Sequence, residues 1–285
     1  MSARRLLPLS SLLLVIGCQS AGESIEEEPP PPASRQAQGI VLPFDSYEFT
    51  LGEYYTVINA QDALTQACMR SRGFDWEVID RPMDAREARN RRRYGVIEPA
   101  VAERYGYHAP SDLLNPYGIS EQEESRRKQL SAKEAKAAED ATTGCDIKAY
   151  EKLVSDANAD VDLKLFDELG KQAMADSRSA PKVASAIRKW SSCMKGKGFN
   201  YSGSSDAGND KRWWEGDTEN ASEEEIETAK ADVSCRQEAG VVGVWFEEEK
   251  RLQQKAIQEN QKYFKELAAA KERHVAAAQS VLKLS

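Results

Sequence analysis

Strand signals are almost missing from this 285-residue sequence, in which no alternating run of β-branched residues exceeds four or five positions. That argues against β-rich and βαβ architectures and predicts a mainly α fold. Histidine is scarce as well, with His108 and His274 alone. The sequence contains no G-x-S-x-G elbow, H-E-x-x-H pair, Walker loop or dinucleotide fingerprint. No reaction is therefore specified, and no cofactor or metal is expected. Long apolar runs are missing too: Leu6 to Ile16 spans 11 residues and is broken by Pro8 and two serines. A helix needs ~20 residues to cross a bilayer core. An excess of basic charge is also lacking. The formal net charge is −8, which argues against nucleic acid as a partner, because phosphate affinity comes mainly from Lys and Arg.

The N-terminus carries a more specific pattern. Arg4 and Arg5 precede the short apolar run, which has the length of a signal-peptide core. Val15-Ile16-Gly17-Cys18 follows and resembles the lipobox of bacterial lipoproteins. The resemblance implies a signal peptide over residues 1–17 and a diacylglycerol on the Cys18 sulfur. The chain would then be extracytoplasmic and held to the cell membrane by lipid, at ~0.8 kcal/mol per buried CH₂. Without the leader, 37 basic residues face 47 acidic ones, a net charge of −10. Residues 18–39 contain Glu26 to Glu28 and four prolines, Pro29 to Pro32. They read as an extended tether without a packed element.

Four other cysteines remain: Cys68, Cys145, Cys193 and Cys235. An even number in an exported chain suggests disulfides, with three possible pairings. No two lie close enough for a C-x₂₋₄-C zinc ligand pair. An internal repeat selects among the pairings. Cys68-Met69-Arg70-Ser71-Arg72-Gly73-Phe74-Asp75-Trp76 recurs as Cys193-Met194-Lys195-Gly196-Lys197-Gly198-Phe199-Asn200-Tyr201. Each copy ends an apolar helical pattern, and each helix should stop at Gly73 or Gly198 in a Schellman cap. One more cysteine follows each copy, preceded by the possible capping boxes Ser131/Glu134 and Ser222/Glu225. The simplest arrangement is two disulfide-closed helical pseudo-repeats, Cys68–Cys145 within residues 40–177 and Cys193–Cys235 within residues 178–285. The second ends in a long, Pro-free C-terminal helix, read from Val241 onward as one helix or one broken once. Ser120 to Glu139 reads as an exposed helix.

The combination Arg93-Tyr94-Gly95-Val96, Tyr105-Gly106-Tyr107-His108, Cys-Met-x₃-Gly-Phe and Gly144-Cys145 resembles a set of secreted proteins and lipoproteins from actinobacteria. The likeness covers most of the chain beyond the tether. It implies a lineage and a cell-surface location, but no activity and no catalytic residue.

Several residues are candidates for function. Arg86, Arg89, Arg91, Arg92 and Arg93 cluster within eight residues. Arg91, Arg92 and Arg93 with Tyr94, Tyr105, Tyr107 and His108 form a candidate binding surface, since guanidinium groups pair with phosphate and carboxylate and tyrosines stack on sugars. The competing expectation is a solvated helix whose arginines pair with acids elsewhere. By residue type His108 suits a general base or a ligand-binding group, although a histidine in such a loop more often packs or hydrogen-bonds there. His274 lies mid-helix among charges and reads as solvated. Trp213-Trp214 offers a stacking platform or a cover for the second repeat's core. Together these features suggest a surface-anchored, non-enzymatic lipoprotein that binds a cell-wall polymer, another envelope component or a neighbouring membrane protein. An envelope hydrolase using paired carboxylates or His108 is the alternative. A transporter's solute-binding subunit fits less well, because βαβ patterns are missing.

Overall fold

The computed structural model describes residues 29–284, apart from 86–88, 110–112, 114–116, 158–160 and 216–219. The expected leader, Cys18, the first part of the tether and Arg86 lie outside the described residues. The described chain forms eleven helices and no strand. They are α1 (Arg35–Gln38), α2 (Leu51–Ser71), α3 (Pro99–Tyr105), α4 (Ile119–Gln129), α5 (Ala132–Glu139), α6 (Cys145–Ala157), α7 (Lys164–Ser179), α8 (Pro181–Gly196), α9 (Glu223–Ala239), α10 (Val241–Glu259) and α11 (Gln261–Leu284).

Local chemistry sets the helix ends that matter most. At the start of α2, Thr50 Oγ1 accepts from the Glu53 N–H at 3.2 Å, while the Glu53 carboxylate accepts from the Thr50 N–H at 2.8 Å. The two repeat helices, α2 and α8, end alike. The N–H groups of Phe74 and Gly73 donate to Met69 and Arg70, and those of Phe199 and Gly198 donate to Met194 and Lys195. These bonds form the Schellman pattern. It requires positive φ at C′, met by Gly73 at 80° and Gly198 at 93°.

Both disulfides close as the repeat predicts. Cys68 bonds Cys145 and Cys193 bonds Cys235, each with Cα atoms 5.6 Å apart. The symmetry ends there. In the second copy α9 runs from its Ser222 cap straight through Cys235. In the first, α5 stops at Asp140 and Cys145 opens a new helix, α6.

The helices gather into two bundles. In one, α2, α6 and α11 pack mutually around Val57, Ala60, Leu153 and Ala278. In the other, α8, α9 and α10 pack with α3 and α7 around Val183, Trp190, Met194, Val233 and Trp245. The 3₁₀ turn Pro43–Tyr47 touches both α10 and α11. Its Phe44 packs at a tilt on Phe166 and Phe264, with ring centroids 5.1 Å away in each case.

Four expectations need correction. The boundary at residues 177/178 does not separate two cores. Tyr94, Val96 and Tyr107 lie inside the second bundle's core, while α11 completes the first bundle. The end of the tether is packed, not free. Ser34 caps α1, Ala37 is buried, and Arg91 and Arg104 donate to the carbonyls of Pro31 and Pro29. A proline-rich segment has no internal hydrogen bonds, so its carbonyls are available to arginine. Residues 120–139 form two helices, because the Ser131/Glu134 box starts a new one. The C-terminal helix, by contrast, takes the once-broken form that the sequence allowed, as α10 and α11 interrupted at Asn260, whose Nδ2 donates to Ala256 O.

His274 is the fourth correction. It is half-buried against the edge of Phe49, and its buried Nε2 has no hydrogen-bond partner among the described residues. Burial holds its pKa below the usual histidine value. A depressed folded pKa means that the unfolded chain takes up the proton first. Stability should therefore fall as pH drops from ~6.5 towards the folded value. His274→Leu is expected to remove that slope and to stabilise the protein at neutral pH by about 1 kcal/mol. Urea melts at several pH values check both effects.

Candidate functional site

The arginine run folds inward. Residues 89–94 form turns, not a helix. Arg91 is buried, with its Nε on Glu98 and Nη2 on Pro31 O. Arg92 donates to the carbonyls of Tyr107 at 2.6 Å and His108 at 2.8 Å. Burial, with Arg91 beside it, lowers the Arg92 pKa. Arg93 grips the fully buried Glu249 through Nε and Nη2. Burial opposes the Arg93 charge, but Glu249 outweighs it and raises its pKa.

The aromatic candidates follow the arginines. Tyr94 OH donates to Glu249 at 2.9 Å. Tyr107 OH donates to Asp232 at 3.2 Å, and its N–H donates to Glu225 at 2.7 Å. Burial raises both phenol pKa values, with the neighbouring carboxylates adding to it. Tyr105 is half-buried under the Arg104 guanidinium. Residues 91–94, 105 and 107 thus do not make an open anion-binding surface. Nor do they make a solvated helix. The reason is that the acids pairing with them are themselves buried, so the charges meet inside the protein.

Arg92→Ala is accordingly expected to act on stability, costing about 2 kcal/mol for two charged hydrogen bonds. It should leave ligand binding unchanged at temperatures where the variant is folded. Paired thermal melts and binding assays separate the two effects.

His108 sits at the edge of this interior. Its Nδ1 lies 2.8 Å from Glu225 Oε1, and its ring packs on Trp214 with centroids 4.8 Å apart. The imidazole is 13% exposed. Glu225 reads in the sequence as the partner of the Ser222 capping box. Only half of that box forms. Ser222 Oγ accepts from the Glu225 N–H, but the carboxylate turns to His108 and the Tyr107 N–H. Trp213 is buried in the second core, whereas Trp214 is half exposed.

Elsewhere the structure opens a cleft of about 650 Å³ that joins residues far apart in sequence. Phe44, Phe166 and Met174 give it apolar walls, and Gly170 leaves space between them. Arg93 and the buried Gln253 also line it. Arg93 spends Nε and Nη2 on Glu249, and its side chain is 26% exposed. The 3₁₀ turn contributes Asp45 and, just beyond it, Glu48. From α7 come Asp167, Lys171 and Arg178. Burial raises the Asp45 pKa, outweighing the Leu42 N–H, Arg89 and Asn90 that favour its charge. Concave sites of this size, mostly apolar with a few convergent polar groups, are where small ligands bind.

Of the candidate residues, only Arg93 reaches this cleft. A smaller hollow of about 210 Å³ lies by Asp62, Trp76, Arg81 and Arg126. There Asp62 is already filled by Trp76 Nε1, Arg81 and Arg126.

Comparison with protein families, curated proteins and solved structures finds no match to this chain. Among the described residues, no helix is long and apolar enough to cross a membrane.

Proposed function

We propose that this protein is a lipid-anchored, extracytoplasmic binding protein, and that the cleft between the Pro43–Tyr47 turn and α7 is where it binds. The lipobox-like Val15-Ile16-Gly17-Cys18 supports the anchor. The observation that carries the binding role is the cleft itself, with apolar walls and charged groups of both signs at its rim. Its ligand belongs to the envelope, either a cell-wall component or a segment of a neighbouring membrane protein.

Gly170 provides the test. A Cβ there would meet nothing closer than Phe44 Cδ2 at 3.9 Å. Gly170→Trp should therefore fold and fill the cleft. Produced without the leader and with Cys18→Ser to remove the lipid, the protein is expected to co-sediment with isolated cell wall or with membranes, saturably and through moderate salt, and Gly170→Trp in that background should lose the binding. Equal sedimentation of both proteins would reject the cleft as the binding site.

A second reading rests on one specific contact. Glu225 orients Nδ1 of His108 in the way that a buried carboxylate orients a general-base imidazole. This favours an envelope hydrolase. Turnover of wall fragments by the wild type, abolished by His108→Gln, would support it.

A further inference from the structure

Charged groups of both signs line the cleft: Asp45 and Glu48 on or just beyond the 3₁₀ turn, and Asp167, Lys171 and Arg178 on α7. On the 3₁₀ turn, Asp45 takes both of its hydrogen bonds, from Leu42 N and Asn90 Nδ2, on Oδ2. Its Oδ1 remains for a cation. On α7, Lys171 forms no ion pair among the described residues, and Arg178 donates only to Ser205 Oγ. Both of these side chains are exposed. The acidic and basic groups border one space whose apolar surface comes from Phe44, Phe166 and Met174. Arg93 cannot supply the site's net charge, since Glu249 already neutralises it.

Glu48 is already paired with Arg89, so a simple anion would find Asp45 and Asp167 against it, and a simple cation would find Lys171 and Arg178 against it. A ligand with both charges and an apolar body meets the two signs of charge and the apolar surface together. The geometry points to a zwitterionic, apolar short peptide as the ligand, with its ammonium group on Asp45, its carboxylate on Lys171 and Arg178, and its side chains on Phe44, Phe166 and Met174. A volume of about 650 Å³ is in the range for a ligand of that size. This inference rests on the cleft being the binding site, as proposed above, and narrows the envelope component bound there to a peptide with both termini free, which an internal protein segment is not.

Met174 gives a local reporter. Among the described methionines, Met69, Met83, Met174 and Met194, it is the one that lines the cleft. The full purified chain, labelled with ¹³C at the methionine methyls, would be titrated with phenylalanyl-leucine. Parallel titrations would use its N-acetyl form, its C-terminal amide and glycyl-glycine. The Met174 methyl resonance should shift saturably with phenylalanyl-leucine. Each blocked peptide should bind about tenfold more weakly or worse, because each strips one charge from its partner. Glycyl-glycine should give no shift, because it has no apolar side chains. Lys171→Glu, an exposed change, should weaken binding of the free peptide about tenfold and leave the amide unaffected. Asp45→Asn should weaken the free peptide and leave the N-acetyl form unaffected.

Equal shifts from blocked and free peptides would overturn the proposal, as would a response at other methionines with Met174 unmoved. If no peptide shifts Met174 while sedimentation with wall or membrane remains sensitive to Gly170→Trp, the cleft still binds and the zwitterion proposal alone falls. If Gly170→Trp changes nothing in either assay, both proposals fall together.

Discussion

Asp232→Ala is expected to lower the free energy of unfolding by about 3–5 kcal/mol, the usual cost of breaking a buried ion pair from one side. Asp232 is fully buried and accepts from Trp190 Nε1 at 2.7 Å and Tyr107 OH at 3.2 Å. Its main partner is Arg236, one turn along α9, whose guanidinium is buried too and also holds the carbonyls of Tyr94 and Ser204. Alanine would leave that guanidinium in the core without a counter-charge. It would also strand the indole and phenol donors. Domains of this kind hold about 5–15 kcal/mol in all, so a large share of the protein's stability would be lost.

Asp232→Asn keeps an acceptor for one of the two aromatic donors while removing the charge and the other acceptor. Its cost should be about 2 kcal/mol. Replacing both partners, Asp232→Leu with Arg236→Met, should recover much of the loss, since apolar packing often matches a buried pair. Urea unfolding followed by tryptophan fluorescence gives all three numbers. A cost below about 1 kcal/mol for Asp232→Ala would mean that water enters beside Arg236 and that the network is not dry.

The parts of the fold that the sequence foretold are those written in short spacings. The Ser131/Glu134 box and the two Schellman ends depend on residues three to five apart, and each forms as expected. The disulfide pairing followed from one nine-residue repeat. The charged residues were harder because their roles depend on distant partners. A run of arginines says nothing about which acids it will meet. Glu98, Glu249, Glu225 and Asp232 come from three different helix regions, and only the packing of α3, α9 and α10 brings them to residues 91–107. Glu225 shows the limit most clearly. Its spacing from Ser222 fits a capping box, yet its side chain is used by a histidine 117 positions away. The cleft left even less trace. Its lining joins residues 44–48, 93, 166–179 and 253, and none of these stretches carries a motif. Phe44 and Phe166 were visible only as apolar residues. Asp45 and Lys171 were two charges among many.

The disulfides carry the second large effect. Alanine at both ends of the Cys68–Cys145 bridge should cost about 4.5 kcal/mol, and at both ends of Cys193–Cys235 about 4 kcal/mol. These values come from the loops closed, 77 and 42 residues apart in sequence. The dependence on loop length is logarithmic, so nearly doubling the loop adds little. Context can separate the bridges further. In the second bundle Cys193–Cys235 ties α8 to α9, which already pack closely around Trp190. In the first bundle Cys68–Cys145 ties α2 to α6, and α11 packs on both. Helix α11 arrives from the far end of the chain, so its docking closes a much longer loop than either disulfide does. If the entropy of the open chain dominates, both variants should lose stability in the order of their loops, measured as urea midpoints at constant slope. A loss near zero for the Cys68–Cys145 variant would mean that α11 already holds α2 against α6. In that case truncating α11 should make the same bridge indispensable, and the C-terminal helix rather than the cysteine pair would be what closes the first bundle.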